Sequence, residues 1–111
     1  MDKVFVVVVT YNGMAWYERC FSSFRASTIP VTTIVVDNDS HDGTVDYIRR
    51  EFPEVVVIES TENLGFGKAN NIGIRYALDH GADYVFLLNQ DAWIDPDALE
   101  ILVSIHKKHP E

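Results

Sequence analysis

The stretch VFVVVVTYNG, residues 4–13, runs six apolar residues into a threonine and then a polar turn. A strand with one face in water alternates apolar and polar residues, whereas a strand covered on both faces is apolar throughout. This stretch therefore predicts a buried strand of a parallel sheet over residues 4–10. Three further segments are β-branched or continuously apolar in the same way, at residues 33–37, 55–59 and 84–89.

Apolar residues between these strands recur at the spacing of one helix face. Helices are predicted in this way around residues 17–24, 45–52 and 69–76. Asp95 and Pro96 predict a fourth helix, as an N-cap followed by proline at the first helical position, running to about Lys108. The alternation of strands and helices predicts an α/β fold, with a Rossmann-like α/β/α arrangement of three layers, a mostly parallel sheet and right-handed crossovers.

Length, composition and charge exclude several classes of protein. A chain of 111 residues supports one domain, and 47% apolar with 23% charged residues is typical of a globular protein. The net charge of −8 argues against nucleic-acid binding, because Lys and Arg provide most of the affinity for phosphate backbones. Cys20 is the single cysteine, which excludes an internal disulfide and favours a reducing compartment. The apolar run at residues 4–9 is too short to span a membrane, so a cytoplasmic protein is expected.

Polar residues gather where the predicted strands end. The four strands are followed by TYNG, DNDSHDGT, STENLGFGKANN and NQD, which begin at residues 10, 37, 60 and 89. Ligands of open parallel sheets bind beyond the carboxyl ends of the strands, so this edge is the expected site. Asn, Asp and Gly are also ordinary turn and cap residues, which is the alternative for each segment alone. GFGK lacks the spacing of a phosphate-binding loop.

Asp91 is the strongest single candidate, because it follows a predicted buried strand and no residue nearby in sequence neutralises it. Mg²⁺ and Mn²⁺ prefer carboxylate oxygens, and they commonly take one or two from the protein and the rest from water and substrate phosphates. Asp91 is therefore predicted to hold Mg²⁺ or Mn²⁺ together with a diphosphate. The alternative is a turn or cap residue.

Four motifs, VVVVTYNG, VVDNDSHDGT, NLGFGKANNIGI and LLNQDA, together resemble a known family. In order and spacing they are similar to the nucleotide-sugar domain of family two inverting glycosyltransferases, which have the GT-A fold, and within it to the bacterial rhamnosyltransferase-like branch. The resemblance spans essentially the whole chain. It implies inverting transfer of a sugar from a UDP- or dTDP-linked donor to a hydroxyl of a glycan or lipid-linked saccharide, in cell-surface polysaccharide synthesis. It also allows peripheral association of the full-length protein with the inner face of the membrane.

The resemblance also implies a set of site residues. In the family the first two strand ends hold the base and ribose, with Thr10 and Tyr11 flanking the base and Asp37 to Asp39 at its polar edge. The implied nucleotide-binding residues are Thr10, Tyr11, Asn12, Asp37, Asn38, Asp39, Gly65, Lys68, Asn70, Asn71 and Asn89, with Asp91 as the metal ligand.

Three asparagines depart from the family pattern. Asn38 stands where many members have aspartate, Asn70 replaces an arginine, and Asn89 replaces the first aspartate of a D-x-D metal motif. Lys68 is the candidate for supplying the positive charge lost at position 70. Because each change weakens a polar or charged contact, the serious alternative to an active glycosyltransferase is a non-catalytic remnant that still binds a nucleotide.

The family's general base and acceptor pocket come after the region that this chain matches. No catalytic residue is therefore assigned, and the base is expected beyond Glu111. Residues 1–111 are interpreted as a truncated, donor-binding part that is inactive alone. The predicted fourth helix supports this interpretation. Its apolar residues between 98 and 105 cover about half of its circumference, which is wider than one ordinary apolar face. An element outside this sequence is expected to pack there.

Two other classes of protein fit less well. A response-regulator receiver domain is similar in size and acidity, but it requires an acidic pair after the first strand, where this sequence has Thr10, Tyr11 and Asn12. It also requires a fifth strand with a lysine, and only four strands are predicted in these 111 residues. A nucleotidyltransferase requires a glycine-rich, basic loop after the first strand, and Gly13 alone does not form one.

Overall fold

A computed structural model describes residues 2–108, in which strands and helices alternate. The elements are β1 (Val4–Thr10), α1 (Tyr17–Arg25), β2 (Thr32–Asn38), α2 (Thr44–Glu51), β3 (Val56–Ser60), α3 (Phe66–Asp79), β4 (Tyr84–Asn89) and α4 (Ala98–Lys108). The strands are all parallel and lie in the order β3-β2-β1-β4. The predicted α/β fold is confirmed.

Helices cover both faces of the sheet. Alternate residues of β1 point to opposite faces, so that Val6 and Val8 enter one hydrophobic cluster and Val7 and Val9 the other. The first cluster lies under α1, α2 and α4, and the second lies under α3. This arrangement explains why β1 is apolar at six successive positions.

Helix α3 lies exceptionally close to the sheet at Gly73. A Cβ at this position would lie 2.4 Å from Cγ1 of Val7 and 3.4 Å from Cγ2 of Val36. The absence of a side chain at Gly73 therefore allows α3 to pack directly on the central strands.

The predicted start of the last helix is wrong by two residues. Its first helical hydrogen bond runs from the Ile101 N–H to the Asp97 carbonyl at 3.0 Å, which makes Asp97 rather than Asp95 the residue before the helix. The Pro96 carbonyl instead accepts a hydrogen bond from the Thr28 N–H at 2.7 Å. This bond ties the segment before α4 to the loop after α1.

One apolar surface stays exposed beside β4. Leu99 and Val103 of α4 are buried, whereas Ile101, Leu102 and Ile105 are each about half exposed, at 48%, 48% and 52%. Leu87 of β4 is also 50% exposed, and β4 lies at the edge of the sheet. Only part of the broad apolar face predicted for this helix is therefore covered by the described residues. Among residues 2–108, no helix combines the length and apolarity that a membrane span requires.

Cys20 provides a test of the packing beneath α1. Its side chain is fully buried, and burial, with a smaller effect of the Asp91 carboxylate, raises the pKa of its thiol to about 12. Because the thiolate is the reactive form, we expect the native chain to resist iodoacetamide at pH 8 and the urea-unfolded chain to react readily. Mass spectrometry of the time course measures this difference. Equal alkylation rates for the native and unfolded chains would contradict the packing.

Candidate functional site

The candidate site lies where the strand order reverses, between the carboxyl ends of β1 and β4. In an open α/β sheet, the crevice at such a reversal is the usual place for a ligand. A cleft of about 380 Å³ opens there, and four of the residues predicted for the site line it: Tyr11, Asn38, Asn89 and Asp91. The structure thus brings together predicted residues from three strand ends.

The other predicted residues lie outside this cleft. Asp39 borders a second, polar depression of about 290 Å³ between the end of β2 and α2. Asn71 borders a larger, open depression of about 530 Å³ along the outer side of α3. That larger depression is lined by α3 alone and contains no strand-end residue, so the cleft between β1 and β4 remains the candidate site. In α3, Lys68 is exposed in the first turn and Asn70 is buried.

Thr10 and Asp37 lie beneath the surface and bind each other. The Thr10 hydroxyl donates to Asp37 Oδ1 at 2.7 Å. The Ser40 hydroxyl donates to the same oxygen at 2.7 Å, and the Ser40 N–H donates to Oδ2 at 2.9 Å. Both carboxylate oxygens of Asp37, which is 2% exposed, therefore have partners within the protein. These bonds join the ends of β1 and β2 below the cleft.

The side-chain amide of Asn38 holds the loop that enters α3. Its Oδ1 accepts from the Leu64 N–H at 3.1 Å, and its Nδ2 donates to the Gly65 carbonyl at 3.2 Å. Gly65 has φ 82° and ψ 168°, a conformation that essentially only glycine adopts. A carboxylate at position 38 would have no hydrogen to donate to the Gly65 carbonyl, so an amide suits this position.

Asn12 joins the loops that follow β1 and β2. Its N–H donates to the Ser40 hydroxyl at 2.9 Å, and its side-chain oxygen accepts from the His41 N–H at 2.8 Å. Asn12 and Asp39 both have positive φ, at 48° and 65°, which asparagine and aspartate tolerate better than most residues. The polar residues of both motifs thus shape the loops around the cleft.

Five residues that line the cleft were not predicted as site residues from the sequence: Val9, Trp16, Asn63, Phe66 and Gln90. Trp16 and Phe66 are 50% and 57% exposed, and with Tyr11 at 44% they place three aromatic side chains around the cleft. The available signal was two large aromatic residues beside the polar strand ends, Trp16 after TYNG and Phe66 at the start of α3. Apart from Tyr11, the interpretation of the strand ends considered only polar groups and glycines.

The oxygen donors of the cleft fit a hard divalent cation held jointly with a ligand. Asp91 supplies one carboxylate and Asn89 one amide oxygen, and both residues are exposed at the cleft. Within residues 2–108 there is no group of three His, Cys, Asp or Glu side chains that could hold a metal. Mg²⁺ commonly keeps several waters and is bound by one or two carboxylates with substrate phosphates, which matches this sparse donor set.

Two curated relatives are similar over most of this chain. The N-acetylglucosaminyl-diphospho-decaprenol L-rhamnosyltransferase of Mycobacterium tuberculosis is 31% identical, over 98% of this chain and 38% of its own length. The dTDP-rhamnosyl transferase RfbF of Shigella flexneri is 32% identical, over 84% of this chain and 31% of its own length. The chain therefore spans well under half the length of these relatives.

Two solved structures share the fold. S. aureus TarS 1-349 in complex with UDP has a TM-score of 0.85 at 22% identity, over 97% of this chain and 33% of that chain. The mannosyltransferase PcManGT of Pyrobaculum calidifontis, in complex with GDP-Man and Mn²⁺, has a TM-score of 0.73 at 29% identity, over 82% of this chain and 28% of that chain. The predicted GT-A type of fold is confirmed. The family model described as glycosyl transferase family 2 matches residues 5–111, and this chain belongs to that family.

Proposed function

We propose that this chain is the donor-binding part of an inverting glycosyltransferase, which takes a sugar from a nucleoside diphosphate and passes it to an acceptor hydroxyl. The observation that carries the proposal is the cleft between β1 and β4, where an exposed aromatic ring, Tyr11, and a carboxylate, Asp91, line the same space. The ring suits a planar base and the carboxylate suits a metal-bound diphosphate. Membership of glycosyl transferase family 2 supports this assignment.

The proposed donor carries a pyrimidine base, as UDP or dTDP. Tyr11, Trp16 and Phe66 supply flat apolar faces around the cleft, on which a base can stack. The name of one relative, a dTDP-rhamnosyl transferase, supports a dTDP-linked donor. TarS is in complex with UDP, a pyrimidine nucleotide, whereas PcManGT is in complex with GDP-Man, a purine nucleotide, so the base is a point for experiment.

Asp91 is the proposed ligand for Mg²⁺ or Mn²⁺, with Asn89 beside it in the cleft. The bound cation would neutralise negative charge that develops on the departing diphosphate. The net charge of −8 opposes the approach of a diphosphate, and a bound cation would offset this repulsion. Lys68, exposed in the first turn of α3, is the proposed source of further positive charge.

The acceptor side of the reaction requires more than these residues. Inversion needs a general base that removes the proton of the attacking hydroxyl. The proposed base lies beyond Glu111, and the proposed acceptor is a glycan or lipid-linked saccharide used in surface polysaccharide synthesis on the cytoplasmic side of the membrane. We therefore propose that residues 1–111 bind the donor and do not transfer the sugar alone.

Calorimetric titration of UDP and of dTDP, with and without Mn²⁺, tests the proposal. The chain is expected to bind one of the two more tightly with Mn²⁺, and Asp91→Asn is expected to weaken this binding by about tenfold or more, because a charged metal ligand is lost. Asp95→Asn is the matched control, since Asp95 is exposed nearby but does not line the cleft.

Two results would count against parts of the proposal. If neither nucleotide binds under any condition, the chain has no donor site of its own. If binding is independent of Mn²⁺ and unchanged by Asp91→Asn, the metal role is wrong, and a non-catalytic nucleotide-binding remnant, favoured by the single carboxylate in the cleft, becomes the better interpretation.

A further inference from the structure

The side chain of Gln90 continues the pairing of β1 and β4 beyond the end of the sheet. The last backbone pair of these strands is Val9 with Asn89. Beyond this pair, two residues further along β1 and one further along β4, the Tyr11 N–H donates to Gln90 Oε1 at 2.9 Å, and Gln90 Nε2 donates to the Tyr11 carbonyl at 3.1 Å. Both hydrogen-bonding groups of the Tyr11 main chain are thus taken by one side-chain amide.

A buried hydroxyl fixes the orientation of this amide. The Tyr17 hydroxyl donates to Gln90 Oε1 at 3.1 Å and itself accepts from the Gly13 N–H at 2.8 Å and from the Thr44 hydroxyl at 3.2 Å. Oε1 therefore faces two donors and Nε2 faces a carbonyl. The reversed amide would place its nitrogen against the Tyr11 N–H, which has no acceptor to offer.

The amide fits only because residue 13 has no side chain. A Cβ at Gly13 would lie 2.6 Å from Gln90 Oε1 and 2.9 Å from the Tyr17 hydroxyl. No real Cβ makes contacts this short, so either the amide or the hydroxyl would have to move. The glycine of TYNG and the glutamine of NQD are thus coupled through space.

We propose that Gln90 is a positioning residue, which holds the Tyr11 main chain at a fixed place relative to Asp91. Asp91 directly follows Gln90 in the chain. The inference rests on the proposed function, because Tyr11 and Asp91 are the two groups that meet base and metal there. Tyr11 lies just after β1, where the sheet no longer holds it, and the amide replaces the missing strand contact. Glutamate would set a second oxygen against the Tyr11 carbonyl, and asparagine is one methylene shorter, so Gln90 suits this task specifically.

Two variants remove the contact from opposite sides. Gln90→Met keeps the length of the side chain but loses the amide, and Gly13→Ala leaves Gln90 intact but displaces it. Gly67→Ala is the matched control, because a Cβ at Gly67 meets no atom within 4 Å. Each variant is measured in two ways: by hydrogen exchange of the Tyr11 amide in the free chain, and by calorimetry with Mn²⁺ and whichever of UDP or dTDP the wild type binds more tightly.

Both variants are expected to expose the Tyr11 amide to exchange by a factor of about ten or more, whereas Val7 and Val8 within β1 keep their protection. The dissociation constant of the nucleotide is expected to rise by about 10- to 100-fold in each. The double variant should bind no more weakly than the weaker single variant, since both remove the same contact. Gly67→Ala is expected to match the wild type in both measurements.

Three results would overturn the inference. Unchanged nucleotide affinity in Gln90→Met, with tight binding by the wild type, refutes the positioning role while leaving the proposed function intact. Absence of binding by the wild type refutes the proposed function and the role of Gln90 with it. Loss of protection at Val7 and Val8 in both variants would show that Gln90 holds the whole strand rather than Tyr11.

Discussion

Replacement of Gly73 by alanine is expected to lower the free energy of unfolding by about 2–3 kcal/mol, although alanine is the better helix former. The added methyl group would lie 2.4 Å from Val7 Cγ1 and 3.2 Å from Val7 Cγ2. Val7 is fully buried in the central strand, and its branched side chain has little rotamer freedom, so it cannot move aside. Helix α3 would have to shift away from the sheet, with loss of packing along its length.

Urea denaturation of four variants tests this expectation. Gly67→Ala is the control in the same helix, and it should stabilise the chain by up to about 1 kcal/mol, since its Cβ is unobstructed. Val7→Ala should restore part of the stability lost in Gly73→Ala, so the double variant should be more stable than additive costs predict. Equal stability of Gly73→Ala and Gly67→Ala would contradict the close approach of α3.

Replacement of Asp37 by alanine is expected to cost about 2–4 kcal/mol of folding free energy, because three donors lose a buried acceptor. Those donors are the Thr10 hydroxyl and the hydroxyl and N–H of Ser40. Thr10 is fully buried, so water does not replace the lost partner there. The ends of β1 and β2, which support the cleft, are expected to separate as a result.

Thermal and urea unfolding measure this cost, with Asp46→Ala as the control. Asp46 is exposed in the first turn of α2, and its loss should change stability by no more than about 0.5 kcal/mol. If Asp37 acted only on the base of a nucleotide, Asp37→Ala would weaken nucleotide binding and leave unfolding unchanged. That result would contradict the role that its hydrogen bonds indicate.

The secondary structure was largely predictable, and its errors are local. The type and order of the elements follow from continuous apolar strands and from helical spacing, which are properties of neighbouring residues. The predicted start of α4 was two residues too early: Asp95 forms a turn with the Ala98 N–H, and the Pro96 carbonyl binds a distant group, the Thr28 N–H. An N-cap and proline signal describes only the local chain and carries no information about such a contact.

The location of the candidate site was predictable, but the role of each residue within it was not. Tyr11, Asn38, Asn89 and Asp91 were expected near one another, and the structure places them around one cleft. Gln90 was missed because the tripeptide NQD does not show which distant main-chain groups the Gln90 side chain contacts. Whether these residues bind a nucleotide remains the prediction that the titrations test.

Short patterns of residue type and spacing were enough to predict the α/β class and the polar edge of the sheet, and the resemblance carried by four motifs predicted the family. The folded structure was needed to show that β4 lies beside β1, which creates the cleft. It also shows which polar groups stabilise the fold through hydrogen bonds, such as the bond between Tyr11 and Gln90, 79 positions apart. Hydrogen bonds between distant segments depend on strand order and register, and these are set by the packing of the whole chain.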